Sequence, residues 1–320
     1  TLLLSNRSAL PAPAQSDNTT VSITDSYQDL LALCSHEYFH TWWVKRLKPS
    51  CFHDYQLAAE QYTPQLWLYE GFTSYYDDLA LVRSGLISTE RYISTLEKLL
   101  SRVTRNPSNS KQSLTDSSFN AWTKFYKQDE NAPNAVVSYY AKGALLALCL
   151  HAELNANGSS LDQVVRQLWQ NYLPSGTPDN ALQLTLQQLG FPALATLCSQ
   201  WLTRALPLPL ESAFAKLGVQ LTLRPMQHQD DLGGAVSSNN VFIGIQTKVV
   251  NGWLQVTQVY HGGSAHQAGV MAGDQLLALD NAKIISNSWA ELLQRYPLNC
   301  RVQLSVFRKD RLLTLPLTLA

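Results

Sequence analysis

A chain of 320 residues is long for one hydrophobic core and suits two domains. Its charges are sparse and balanced, 24 basic against 24 acidic, so no basic stripe is available to neutralise phosphates and nucleic acid is excluded as a partner. The apolar run GALLALCL at 143–150 is far short of a membrane span.

The opening stretch, residues 1–10, predicts a strand, and 11–20 a loop rich in Pro, Ser and Asn. It has no initiator Met and no charged flank before its apolar run, so it does not read as a signal peptide; the expectation is a piece of a longer protein. Thr24 or Asp25 can cap a helix whose apolar positions continue from Tyr27 through Val44. Lys45, Arg46 and Lys48 follow, with Pro49 as the stop. That basic cluster reads equally as a solvated helix end complementing the dipole or as a contact for a substrate carboxylate. Residues 50–62 look irregular. A second helix is expected from Thr63-Pro64, a favourable start, carrying LWLYEGFTSYYDDLALV, and a third from about Ser88 to Val103. RNPSNSKQS is a polar loop, SSFNAWTKFY a short helix, and NAPNAVVSYY leads into the helix AKGALLALCLHAEL. Ser160 and Gln163 form a capping-box pattern ahead of LDQVVRQLW. Thr177-Pro178 predicts a helix ending at Gly190, and Pro192 to Ala205 another.

From about Asn240 the pattern becomes short, β-rich and punctuated by glycine, with two helical pieces, SAHQAG and SWAELLQRY. The expected division is a catalytic region at 1–228, a linker at 229–240 and a β-rich domain at 241–320. The fold class is thus multidomain and mainly α, with a small β-rich module at the end. Five scattered cysteines (34, 51, 149, 198, 300) without a CxxC pair read as reduced, mostly buried thiols, which favours a cytoplasmic protein.

Chemistry concentrates in His36-Glu37-Tyr38-Phe39-His40. Residues four apart share a helix face, so His36 and His40 can offer two imidazole nitrogens to one tetrahedral metal. Glu37, one step round, can act as a carboxylate base on water that the metal activates. This is the HExxH zinc-peptidase pattern. A third ligand is then required. Glu60 and Glu70 both qualify by spacing; Glu70 is favoured because it lies inside the aromatic-rich helical run LWLYEG, whereas Glu60 precedes the helix start. His53, His151, His228, His261 and His266 read as side chains with other roles. Asp77 or Asp78 could orient a ligand imidazole through its second nitrogen, and the spacing does not choose between them. Tyr139 or Tyr140, just ahead of the AKG helix, could donate to a developing oxyanion; composition leaves that pair open too.

HEYFHTWWVKRLKP, LWLYEGFTSYYDDL and SYYAKGALL, in that order, resemble the glycyl aminopeptidase family of gluzincin metallopeptidases. The resemblance implies a helical, thermolysin-like catalytic region holding one zinc ion on His36, His40 and Glu70, with Glu37 as general base. Its YxKG motif falls on Tyr140 to Gly143, which implies Tyr140 as the transition-state donor. Lys45 and Arg46 match a basic pair of the family. Trp43 departs from it, standing where members typically carry Asn, which bears on pocket shape. The family also has a glycine-rich stretch ending in Glu-His upstream of a strand like TLLLSNRSALP, and in related enzymes a glutamate there grips the substrate's amine. The expectation is that this element precedes Thr1. Val241 to Leu319 resembles a PDZ domain, with FIGI at 242–245 as a carboxylate-binding loop and SAHQAGVMAGDQLLALDN as its signature segment. A groove beside the SWAELLQRY helix could receive an extended peptide, or the module could only dock on the catalytic region. The implied activity is removal of small N-terminal residues, Gly or Ala, from peptides. An endopeptidase with the same chemistry and a catalytically silent peptide-binding protein are the alternatives.

Overall fold

The computed structural model describes residues 4–11, 23–236, 240–285 and 288–319. Contacts divide the chain into two compact units. Unit 1 takes Thr1–Leu100, Ser113–Thr123 and Ser138–Thr222; unit 2 takes Ser101–Gln112, Lys124–Val137 and Leu223–Ala320. A mainly helical region followed by a small antiparallel sheet is the fold class expected above.

The strand expected at 1–10 does not form among the described residues. Arg7–Ala9 is a 3-10 turn, started by Asn6 Oδ1 accepting from the Ser8 N–H at 3.1 Å. Residues 1–3 and most of the loop expected at 11–20 lie outside the described residues. Helix α1, Asp25–Phe39, is capped by Thr24, whose Oγ1 accepts from the Tyr27 N–H at 3.2 Å. It ends five residues earlier than its apolar pattern suggested. Val44 turns the chain back with φ 97°, a conformation β-branched residues rarely hold, and its N–H donates to the Leu47 carbonyl at 2.7 Å. Trp43, Leu47 and Pro49 are buried by this reversal. The apolar residues beyond Phe39 thus belong to a buried turn. Lys45 and Arg46 are exposed on that turn, just beyond the end of α1, where the Lys45 N–H donates to the carbonyl of the capping His40 at 3.2 Å.

The second helix also departs from its expected start. Regular hydrogen bonding begins not at Pro64 but with a π turn, Trp67–Gly71, which runs directly into α2, Phe72–Arg83. Next come α3 (Thr89–Thr104), α4 (Leu114–Phe119), α5 (Ala132–Ala135) and α6 (Tyr139–Ala156). Then follow α7 (Leu161–Tyr172), α8 (Ala181–Gln188), α9 (Pro192–Thr203) and α10 (Leu210–Lys216). Ser160 Oγ accepts from the Gln163 N–H at 3.2 Å, as the capping pattern suggested. Helix α6 is apolar nearly all round, which requires burial on every side, and Lys142 to Leu150 are buried without interruption. The π turn, α2, α4, α7 and α10 pack against it. Cys149 and Cys198 are buried, but Cys34 and Cys51 are exposed and Cys300 partly so, which corrects the expectation of mostly buried thiols; none is paired.

Unit 2 is a sheet in the order β1-β2-β3-β5-β6, all antiparallel, with β4 beside β3. The strands are β1 (Ile245–Val250), β2 (Trp253–Val259), β3 (Gln275–Leu279), β4 (Ala282–Lys283), β5 (Arg301–Arg308) and β6 (Arg311–Thr318). Helices α11 (Ser264–Gln267) and α12 (Trp289–Leu293) complete the unit. Ile243, Ile245, Val256, Leu276, Leu304 and Val306 form its core. Fully buried Asp274 accepts from Arg308 through both carboxylate oxygens at 2.8 Å, so its charge is paired. Two segments from the helical half belong to this unit. Asn134 donates to the Val259 carbonyl and accepts from the His261 N–H, both at 2.8 Å. Among the described residues no helix is long and apolar enough to cross a membrane.

Candidate metal centre

Three side chains of unit 1 converge. His36 Nε2 and His40 Nε2 lie 3.1 Å apart, and Glu70 Oε2 lies 3.3 Å from the first and 3.2 Å from the second. Among the described residues this is the one set of His, Cys, Asp or Glu side chains grouped to hold a metal ion. The spacing can be tested against zinc. Ligand bonds of about 2.0–2.1 Å at tetrahedral angles put neighbouring ligand atoms about 3.3–3.4 Å apart. The observed triangle is close to one face of that tetrahedron, and it leaves a fourth position open.

The two rings are held in the orientation a metal needs. His36 Nδ1 donates to Asp77 Oδ2 at 2.9 Å, and His40 Nδ1 donates to the Trp43 carbonyl at 3.0 Å. Both partners can only accept, which fixes the tautomer and turns both Nε2 atoms inward. Asp77, rather than Asp78, is the orienting carboxylate; its Oδ1 also accepts from the Asp78 N–H at 2.6 Å. Glu70 and Asp77 are seven residues apart on the helical run that holds the π turn and α2. Two helical turns bring them to one stripe, where they take opposite nitrogens of the His36 ring. The seven-residue interval from Glu70 to Asp77 distinguishes Asp77 from its neighbour only once Glu70 is placed as the partner of the same ring.

Electrostatics follow from the same contacts. Burial alone would lower the His36 pKa, but hydrogen bonds to Asp77 and Glu70 overcome it and raise the ring to about 9. Burial would raise Glu70, and the hydrogen bonds from His36 and His40 bring it down to about 2. The cluster is thus arranged for positive charge at its centre, which a divalent cation would supply. Asp78 is pushed up to about 7 by burial, then by the charges of Asp77 and Asp29.

Trp43 ties the two ligand-bearing elements together. Its carbonyl holds His40, while its indole N–H donates to the Leu68 carbonyl at 2.8 Å, inside the π turn that carries Glu70. The wider π turn shifts the helical hydrogen-bond pattern, and such turns recur at functional sites. The sequence reading missed this link because it runs between residues 25 positions apart.

Two glycines set the depth of the site. A Cβ added to Gly71 would come within 2.6 Å of the Gly143 Cα, and one added to Gly143 within 2.9 Å of both the Gly71 Cα and the Trp67 carbonyl. Helix α6 and the π turn therefore meet backbone to backbone. This contact brings the start of α6 to the histidines. Tyr139 and Tyr140 are the first two residues of α6, inside the helix rather than ahead of it. Tyr139 is buried in the core, whereas half-buried Tyr140 stacks near His36 with ring centroids 6.4 Å apart. Glu37 lies half-buried on the same turn of α1 as His36. Glu60 is exposed, and its carboxylate accepts from the Tyr62 hydroxyl at 2.6 Å, away from the cluster. His53, His151, His228, His261 and His266 are not in the cluster either.

Residues 29–146 match the M61 glycyl aminopeptidase family, and residues 241–319 match the PDZ domain. Along the chain the M61 match thus precedes the PDZ match. Over 98% of its length it is similar to an aminopeptidase N family protein from Idiomarina loihiensis, with 39% identity and a TM-score of 0.90. The alignment covers 54% of that protein, so the chain spans about half its length. Alignments over 25% of the chain also reach a serine endoprotease from Yersinia pestis (20% identity, TM-score 0.23, 29% of that chain). A third solved structure is the HtrA3 PDZ domain bound to a phage-derived ligand (18% identity, TM-score 0.23, 25% of this chain and 85% of that one). No curated protein matches the chain.

Proposed function

We propose that the M61 region is a zinc aminopeptidase, with His36, His40 and Glu70 as ligands and the stretch 1–228 as its catalytic part. The observation that carries this reading is the triangle of ligand atoms 3.1–3.3 Å on a side, with both histidines steered from behind by Asp77 and the Trp43 carbonyl. Zinc bound there would polarise the scissile carbonyl and make water nucleophilic near neutral pH. Glu37, beside the triangle, takes the proton from the attacking water and returns it to the departing amine. Tyr140 donates its phenol O–H to the oxyanion as the carbonyl carbon becomes tetrahedral. Asp77 keeps His36 in one tautomer throughout.

The match to the M61 glycyl aminopeptidase family supports peptides with small N-terminal residues, Gly or Ala, as substrates. The unpaired cysteines fit a cytoplasmic setting.

The test is metal content together with hydrolysis of glycyl and alanyl anilides, free and N-blocked. The proposal expects one zinc per chain and turnover of the free-amine substrates alone. Glu37→Gln should keep its zinc and lose about 10²–10⁴-fold in kcat. Cleavage of blocked substrates would transfer the reading to an endopeptidase. Undiminished activity in Glu37→Gln, or a zinc-free wild type, would sink the mechanism.

A further inference from the structure

The sheet of unit 2 has two edges, and they are protected differently. On β6 the protection is covalent: Pro316, opposite Gln303 in the β5–β6 register, has no N–H to offer a neighbour. Strand β1 pairs with β2 on one side only, and its exposed end includes Lys248 and Val249. Its outward backbone donor at Thr247 is not free. The Thr247 N–H and its Oγ1 both donate to Gln229 Oε1 at 2.9 Å, and Gln246 Nε2 donates to the Gln229 carbonyl at 2.8 Å. Gln229 therefore places an amide oxygen where the backbone carbonyl of an added strand would lie.

The segment around Gln229 is built to hold it there. Arg224 grips both oxygens of Asp231, at 2.6 and 2.9 Å, and the same carboxylate accepts from the backbone N–H groups of Gln227 and Gly233 at 2.8 and 3.0 Å. Gln227 Oε1 in turn accepts from the Asn240 N–H at 2.6 Å, just ahead of β1. Asp231 is 5% exposed, so the strap is pinned at a buried ion pair, while Gln229 itself reaches the strand through a side chain.

We propose that residues 224–234 form a resident competitor for strand addition at β1: the edge receives an extended peptide only when Gln229 withdraws. The partner chemistry is set by what Gln229 imitates, an extended backbone carrying a carbonyl opposite the Thr247 N–H. Affinity for such a peptide is reduced by the fraction of molecules in which the strap is closed. Of the three hydrogen bonds at Gln229, the two that its Oε1 accepts hold that fraction at about nine in ten, so losing them gains about tenfold in affinity.

The experiment uses the full chain. A phage library displaying random decapeptides with free C-termini is selected on the Gln229→Leu protein, which keeps side-chain volume and loses the acceptor. The best clone is synthesised and titrated against wild type, Gln229→Leu and Gln229→Glu by fluorescence anisotropy. Hydrogen exchange at the Thr247 amide is followed in each protein without peptide. The expected result is tighter binding to Gln229→Leu than to wild type by about tenfold, with Gln229→Glu, which still accepts, near wild type. Thr247 exchange should accelerate in Gln229→Leu while the Val256 and Leu304 amides stay protected, which separates an opened strap from a loosened fold. Equal affinity for all three proteins, failure of any clone to enrich, or unchanged exchange at Thr247 would each overturn the proposal.

Discussion

The candidate metal cluster of unit 1 and the β1 edge of unit 2, both proposed here as working surfaces, are held by opposite means. At the cluster, position comes from contacts that cannot be exchanged: Gly71 against Gly143, the Trp43 indole on the Leu68 carbonyl, Asp77 behind His36. At the edge, position comes from one side-chain amide on a surface strap. A site that must orient ligand atoms to a few tenths of an ångström needs the first kind of support. A strand edge that accepts partners by backbone pairing works with the second, because the capping group must be able to leave.

The contrast can be broken by experiment, most sharply at Gly143. In an open helix Gly→Ala would stabilise by about 1 kcal/mol. Here the new methyl meets the backbone of the π turn, and Gly143→Ala should cost about 3 kcal/mol or more in urea unfolding, with a fall in zinc stoichiometry. A neutral result would mean that the cluster is as adaptable as the edge.

Lys142 gives the next test. Its ammonium is buried and donates to the Leu206 carbonyl at 3.0 Å, and desolvation lowers its pKa to about 8 from 10.5. Between those values the unfolded chain binds more protons than the folded one, so stability rises with pH across that window and is flat below it. The gain should total up to about 3 kcal/mol, read as the pH dependence of unfolding in wild type and absent in Lys142→Met. A parallel pH profile in the variant would show a wetter environment than the burial indicates.

The smallest effect is expected at Trp43. Trp43→Phe keeps an aromatic ring and the backbone carbonyl that holds His40 but removes the N–H from Leu68. Zinc affinity, measured by competition with a chelator, should fall about 10–100-fold, while the unfolding midpoint of the metal-free protein moves little. If both change together, Trp43 serves the core and not the geometry of the ligands.

Much of the cluster was legible in the sequence because its geometry is local. The spacing of His36 and His40 is one helical turn, and Glu70 stood out by its helical, aromatic setting. The residues alone leave Tyr139 and Tyr140 open, and the YxKG resemblance implies Tyr140. The unread parts share a physical cause: they depend on contacts between distant stretches. Helical propensity does not distinguish a π turn from an α turn, so the irregular start at Trp67 was missed. Trp42, Trp43 and Val44 read as more helix, when tertiary burial folds this stretch into a turn with Val44 at positive φ. The allegiance of residues 101–112 and 124–137 to unit 2 rests on links such as Asn134 with Val259, which no local pattern encodes. In unit 2 the alternating strands were clear, while the strap read only as polar linker.

The contact of Gly71 with Gly143 also bears on ancestry. Two glycines that touch through their backbones offer evolution no compensating pair: enlarging either one meets main chain, and shrinking the other is impossible. Lineages descending from this chain can drift at their surfaces, and even lose Glu37, without relaxing that demand. Together these two positions constrain the scaffold, whereas the pentad constrains the proposed chemistry. A relative that keeps both glycines but lacks the glutamate is expected to keep the fold without the proposed hydrolysis.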